Sequence, residues 1–319
     1  MKAPQNRKVF VIGYGISSPL GIDLDSNWKN AVAGESGFRR VTRCETKSDS
    51  YIVGEIPDWN PADYDFVNRK EAYNWNADFV HLTMGICQEA IANSGLEINA
   101  ETGPKTACLI GSALNGSDAF RVAMDAYQNL GPFKVSPYLL PNLCANVPSG
   151  KAGMMLGFTG PIVSPEAACA TGNYAIGLGA KLIQNGDCDF ALAGGVDTCI
   201  LPEIIQGFSN MRATIEIEEG DRAFDDPKQA SRPFSKDRKG FVLSEGGAVI
   251  VLASEEAIIA NGLKPKAEVL GIGWNSDAFH FTAPNPKTIN EAISQAIEDA
   301  ELKPADIDYV NTHGTSTPK

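Results

Sequence analysis

A helical passage that hands over to a short apolar strand occurs in both the first and last thirds of the chain, and this grammar leaves few architectures open. Phe79 to Ser94 places Phe79, Leu82, Met84, Ile86, Ala90 and Ile91 on a helical period and stops at Gly95, a helix C-terminal signal. Thr106 to Ile110 then reads as a buried strand running into Gly111. The passage Ala90-Ile-Ala-Asn-Ser-Gly-Leu96 is echoed by Ala296-Ile-Glu-Asp-Ala-Glu-Leu302, again ahead of a strand candidate, Ile307 to Val310. The echo suggests an internally duplicated α/β chain, with matching chemistry at the ends of corresponding strands.

The intervening sequence follows the same grammar. Val9-Phe-Val-Ile12, ended by Gly13, reads as a buried first strand. A strand-like segment from Val163 leads into Glu166-Ala-Ala-Cys169-Ala-Thr-Gly172, and a helical pattern follows from Asn173 to Asn185. Gly177 and Gly179 would weaken an exposed helix, so this one is expected to be buried and closely packed. Phe190 to Gly195 reads as a central strand, and Ala248 to Ala253 as a further apolar run. Strands alternating with helices predict a parallel sheet covered on both faces. Thr214 to Ser231, acidic and holding Gly220 and Pro227, reads as an exposed loop. No long linker divides the chain, which reads as one compact unit.

Composition removes several function classes. The 319 residues are 43% hydrophobic and 21% charged, enough for a large core or two fused halves. No apolar run is long enough to cross a membrane, and Met1 to Lys8 lacks signal-peptide features, so a cytoplasmic location without membrane contact is expected. The net charge of −12 argues against non-specific nucleic-acid binding. Seven scattered cysteines without a Cys-x-x-Cys pair, and only three histidines, give no metal site. Cys87, Cys108 and Cys144 lie among apolar neighbours and read as core. The basic run Arg232, Lys236, Arg238 and Lys239 reads as a solvated face.

Cys169 stands apart from those cysteines. A strand–turn–helix elbow puts its side chain at a helix N-terminus, where free N–H groups and the helix dipole stabilise an anion. A thiolate there is a competent nucleophile, and the same N–H groups can hold a developing oxyanion. Ala167, Ala168, Ala170 and Gly172 leave room for a substrate to approach. The second element is Asn311-Thr-His313-Gly-Thr-Ser-Thr317-Pro, which sets a histidine just past a strand candidate. A nucleophile after one strand and a base or donor after its equivalent would meet at a pseudo-two-fold axis.

Together with Arg232-Pro-Phe and Gly240-Phe-Val-Leu-Ser-Glu245-Gly-Gly, these motifs resemble the β-ketoacyl-[acyl-carrier-protein] synthases, above all the type II elongating condensing enzymes of fatty-acid and polyketide synthesis. The resemblance runs from Val9 to Pro318. It implies a thiolase-like fold of duplicated αβαβα layers, with residues 1–255 as the half bearing the nucleophile and 256–319 as the start of an incomplete second half. It further implies that Cys169 takes an acyl group from an acyl carrier protein or coenzyme A, and that a malonyl-carrier thioester then loses CO2 and attacks it. His313 would hydrogen-bond the malonyl thioester during that loss. Thr282, Thr315 and Thr317 would contact pantetheine, Phe208 and Leu114 would line the acyl pocket, and Arg69, Lys70 and Arg212 would meet the acidic carrier. No cofactor of the protein's own is implied, because pantetheine arrives on the carrier or on coenzyme A. The full-length protein would be a homodimer.

The sequence departs from the family in two places. Ala113 and Asn115 stand where relatives often carry glycines beside the acyl pocket. A segment with a lysine and a second histidine, which the resemblance implies, is not among these residues. On that ground the chain is expected to be a truncated piece, poorly stable alone and inactive in condensation. A non-catalytic partner subunit like a chain-length factor is the alternative, although such subunits usually replace the nucleophile. A cysteine peptidase built on Cys169, His313 and Asn311 is disfavoured, because Asn311 lies only two residues before His313 on one strand end. A thiolase or acetoacetyl-CoA-type synthase would share the fold but not the flanking motifs.

Overall fold

The computed structural model describes residues 7–46, 51–75, 77–280 and 283–318. Nine strands occur among them: β1 (Val9–Ser17), β2 (Phe38–Arg40), β3 (Ile52–Gly54), β4 (Thr106–Gly111), β5 (Ile162–Val163), β6 (Phe190–Asp197), β7 (Leu243–Ser244), β8 (Gly246–Ser254) and β9 (Ala267–Glu268). Six form the main sheet in the order β5-β4-β6-β8-β1-β9, and β2-β3-β7 form a small second sheet.

The central strands are apolar on both faces because both faces are covered. In β4, Cys108 and Ile110 enter one core while Ala107 and Leu109 enter the other, and Phe190/Leu192 and Ala191/Ala193 of β6 divide the same way. The helix Asp78–Ser94 fills the first core with Phe79, Leu82 and Ile86 and ends on Gly95 at φ 72°. Full burial of each such side chain contributes about 1.5–3 kcal/mol. The helix Thr171–Asn185 covers the opposite face with Ala175, Ala180 and Ile183. Its Gly179 faces Ala191, Ala193 and Leu252, where an added Cβ would come within 3.3 Å of its neighbours. The small residues seen in the sequence therefore let this helix lie low on the sheet.

A further layer covers the outer side of Thr171–Asn185. Val269 and Ile272 pack into the same core, and Trp274 stacks on Tyr174 with ring centroids 5.4 Å apart. Gly177 lies so near Trp274 that a Cβ would stand 2.6 Å from its ring. Gly271 and Gly273 in turn press on the helix Pro286–Asp299, and Asp299 accepts from the Ile272 N–H at 2.9 Å while pairing with Lys181 at 3.6 Å.

Several expectations need correction. The sheet is mixed: β4 runs parallel to β5 and β6, whereas β8 is antiparallel to both β6 and β1, and β9 is antiparallel to β1. The reason lies in the excursion 198–245 between β6 and β8, which returns the chain along a reversed path. The first strand continues past Gly13 to Ser17, with a register shift between Val11 and Gly13. Gly13 serves contact instead of termination, because a Cβ there would sit 2.6 Å from the Ala90 carbonyl. Cys87 and Cys108 are buried, but Cys144 is exposed. Ile307–Val310 is not assigned as a strand, and Tyr309 and Val310 are largely exposed. Finally, Thr214 to Ser231 is not simply a surface loop, for Ile215, Ile217, Ala223 and Ala230 form a core with Ile52 of β3.

Candidate active site

Cys169 sits in a 3-10 turn (Ala168–Ala170) that runs into the helix beginning at Thr171, with its side chain exposed. The residue before it, Ala168, holds φ at 47°, a left-handed conformation that costs a non-glycine residue free energy. The elbow is locked by the Thr171 hydroxyl, which accepts from the Ala167 N–H at 2.8 Å, and by the Ala170 N–H donating to the Ala167 carbonyl at 3.0 Å. Close packing against the strand ends holds the whole turn. A Cβ on Gly111 would stand 2.1 Å from the Pro165 carbonyl oxygen and 2.3 Å from Thr171 Cγ2. A Cβ on Gly195 would likewise lie 3.6 Å from Gly172. Glycines toward the ends of β4 and β6 thus let the Cys169 elbow rest directly on the sheet.

Beyond β4 the chain turns around one carboxylate. Asp197, at the end of β6, accepts from the Ser112 hydroxyl at 2.7 Å and from the Ala113 and Leu114 N–H groups at 3.1 and 2.9 Å. This anchor fixes Leu114, which packs with Phe208 in a core also holding Cys199, Ile200 and Ile205. Phe208 meets Phe241 edge to face at 5.2 Å. Leu114 and Phe208 thus pack against the same buried cluster. Asp197 was not singled out in the sequence, since nothing local marks a strand-end aspartate as a loop anchor. Asn115 takes φ 49°, and its Oδ1 is buried without a hydrogen-bond partner among the described residues.

His313 is exposed, and neither its ring nor the Cys169 thiol makes a hydrogen bond among the described residues. Thr315 and Thr317 are half-buried, with their hydroxyls 2.9 Å apart. Between them Ser316 is 3% exposed at φ 67° and accepts from the Arg232 N–H at 3.1 Å. Lys70 and Arg212 are exposed, the latter at φ 54°. Thr282 and the Arg69 side chain lie outside the described residues.

The segment carrying Arg232 differs from the solvated face read in the sequence. Its guanidinium is 6% exposed and pairs with Asp221, itself 4% exposed, at 3.0 Å. Lys239 reaches the same carboxylate at 2.8 Å. Burial would raise the Asp221 carboxyl, yet Lys239, the Ala223 N–H and Arg232 together hold it down at about 2. Glu245, in the Gly-Phe-Val-Leu-Ser-Glu-Gly-Gly motif, behaves oppositely: burial pushes it up to about 7 despite Arg43 and the Ile56 N–H. Among the described residues no group of three or more His, Cys, Asp or Glu side chains could hold a metal ion, and no helix is long and apolar enough to cross a membrane.

A mixed five-stranded-plus-edge sheet between helical layers, with a cysteine elbow on its strand ends, defines a thiolase-like condensing-enzyme fold. Residues 6–257 match the family described as "Beta-ketoacyl synthase, N-terminal domain", and residues 266–319 match "Beta-ketoacyl synthase, C-terminal domain". The chain belongs to the β-ketoacyl synthase family and is an acyl-transferring condensing enzyme. It is 36% identical over 317 residues to 3-oxoacyl-[acyl-carrier-protein] synthase 2 of Staphylococcus aureus (strain COL), covering 98% of this chain and 74% of that protein. Among solved structures it is similar to the ishigamide ketosynthase/chain length factor, with TM-score 0.87 and 29% identity over 98% of this chain and 74% of that one. It is also similar to a β-ketoacyl synthase from Burkholderia phymatum STM815, with TM-score 0.85, 26% identity and the same two coverages.

Proposed function

We propose that this chain is a 3-oxoacyl-[acyl-carrier-protein] synthase in which Cys169 is the acyl acceptor. The observation that carries the reading is the Cys169 elbow: an exposed thiol on a conformationally held turn, at the N-terminus of a buried helix and against the ends of β4 and β6. The thiolate attacks a thioester carbonyl, the carrier's thiolate leaves and takes up the proton, and the acyl group stays on sulfur. Helix N–H groups stabilise the oxyanion formed on the way. A malonyl thioester then loses CO2 while His313 hydrogen-bonds its carbonyl oxygen, and the carbanion attacks the acyl-enzyme to give a 3-oxoacyl product and free Cys169. A donor facing charge that develops only during reaction accelerates the step without holding substrate more tightly.

In this reading Leu114 and Phe208 meet the acyl chain, while Thr315, Thr317 and Thr282 meet pantetheine, which arrives on its carrier so that no cofactor is resident. The partner is an acyl carrier protein, as the name of the Staphylococcus aureus relative states for that enzyme. Lys70, Arg69 and Arg212 are basic groups suited to its acidic surface on an otherwise acidic protein. Seven free cysteines fit a reducing cytoplasm. A second copy completes the assembly through β5, an edge strand whose Ile162 and Val163 are 40% and 44% exposed. The chain-length-factor alternative is disfavoured by the intact Cys169.

Acyl exchange tests the proposal. An acyl-carrier donor and free pantetheine are incubated with the protein, and acyl-pantetheine is measured by mass spectrometry. Exchange is expected to run at least about 100-fold faster than with Cys169→Ala, the scale of a lost covalent step. Equal rates for the two proteins would refute the role of Cys169.

A further inference from the structure

We propose that Arg232, locked in place by Asp221, is a positioning residue that sets where the His313 motif stands. Loop 221–240 and the segment 313–318 touch at several points. The Arg232 N–H donates to Ser316 Oγ at 3.1 Å. Arg238 Nε donates to the Thr317 carbonyl at 2.8 Å, and its Nη2 to the Pro318 carbonyl at 3.1 Å. Gly314, at φ 40°, lies against Pro233, where an added Cβ would come within 3.6 Å.

The loop can act as a template because its own geometry is over-determined. Arg232 spends its guanidinium entirely inside the loop, on Asp221 Oδ2 at 3.0 Å, the Gln229 carbonyl at 3.0 Å and the Asp237 carbonyl at 2.9 Å. Lys239 reaches the same Asp221 Oδ2 at 2.8 Å. With the side chain so committed, the Arg232 backbone N–H has one direction in which to point, and Ser316 Oγ lies there. The stretch leading into that segment is weakly held: Ile307–Val310 pairs with no strand among the described residues, and Tyr309 and Val310 are 78% and 65% exposed. Ser316 is meanwhile buried in a left-handed conformation that costs a non-glycine residue free energy. An ion-paired loop on one side and an exposed lead-in to the His313 motif on the other make the former the source of order.

The Arg232–Asp221 pair thus acts on the reaction through His313, not on substrate. The inference rests on the reading of His313 as the group that assists decarboxylation. It separates from that reading experimentally, because the three histidines, His81, His280 and His313, can be followed individually by ring NMR signals. His81, 3% exposed in the first core, reports whether the fold is intact.

In Asp221→Asn and in Ser316→Ala, the His313 ring signal, assigned with His313→Gln, is expected to shift or broaden while that of His81 stays in place. Amide exchange across 311–318 should quicken by about tenfold, the scale of one lost hydrogen bond. Acyl exchange at Cys169 should remain within about twofold in Asp221→Asn, since the elbow is a separate unit. Should Asp221→Asn unfold, visible as a displaced His81 signal, Ser316→Ala decides alone. A His313 signal and exchange rate unchanged in a folded variant would overturn the inference. By contrast, His313→Gln leaving malonyl-thioester decarboxylation untouched would overturn the role of His313 while leaving the positioning by Arg232 standing.

Discussion

At the scale of single residues, burial and charge set opposing behaviours within one family motif set. Glu245 is pushed up to about 7 by burial, and Asp78 up to about 6 by burial and the neighbouring Asp118. Both native values exceed the ordinary carboxylate range, so between about pH 4 and 7 the folded chain holds more protons than the unfolded one, and stability falls as pH rises through that window. The urea midpoint is therefore expected to drop from pH 5 to pH 7.5, and Glu245→Gln to flatten the drop by roughly 1–3 kcal/mol. A midpoint that rises over this range, or an unchanged slope in the variant, would contradict the assignment. Asp221, held at about 2, contributes the opposite sign and loses its share only as pH falls through that value. Cys169 was legible in the sequence because its surroundings are local: small residues, a strand before it and a helix after it. The burial of Arg232 was not, since its partner Asp221 sits eleven positions earlier in a stretch whose acidity reads as solvation.

At the scale of elements, the sequence named the long central strands and the helices Asp78–Ser94 and Thr171–Asn185, but predicted a parallel sheet where the observed one is mixed. Apolar runs and helix stops depend on neighbours along the chain, whereas β8 turns antiparallel through the long excursion from 198 to 245. The glycines of the helix Thr171–Asn185 announced a buried helix, and Gly177 against Trp274 shows what buries its outer side. Ile307–Val310 has the composition of a strand without a partner strand to pair with among the described residues, and propensity alone does not make a ladder. The β5 edge yields a testable consequence. If a second copy pairs there, Ile162→Lys should shift sedimentation from dimer to monomer without lowering the thermal midpoint by more than a few degrees, because Ile162 is 40% exposed. A wild-type protein that sediments as a monomer would remove the dimer proposal.

At the scale of the molecule, two features frame the candidate site: the Cys169 elbow packed on β4 and β6, and the loop 221–240 that contacts the segment 314–318. The first belongs to the part of the chain matching the N-terminal family domain, and the second joins it to the part matching the C-terminal one. The chain spans 74% of the length of its Staphylococcus aureus relative, and the similarity covers 98% of the residues here. In the function proposed above, fold context and not exposure makes Cys169 the acyl acceptor, and the protein carries its own control. Cys144 is the other exposed cysteine, lying after a short helix with its thiol donating to the Leu140 carbonyl at 3.3 Å. Intact and peptide-mapped mass spectrometry after incubation with an acyl-carrier thioester should find one acyl group per chain, on the peptide holding Cys169, and none in Cys169→Ala. Equal acylation of Cys144, or no acyl group on Cys169, would contradict the account.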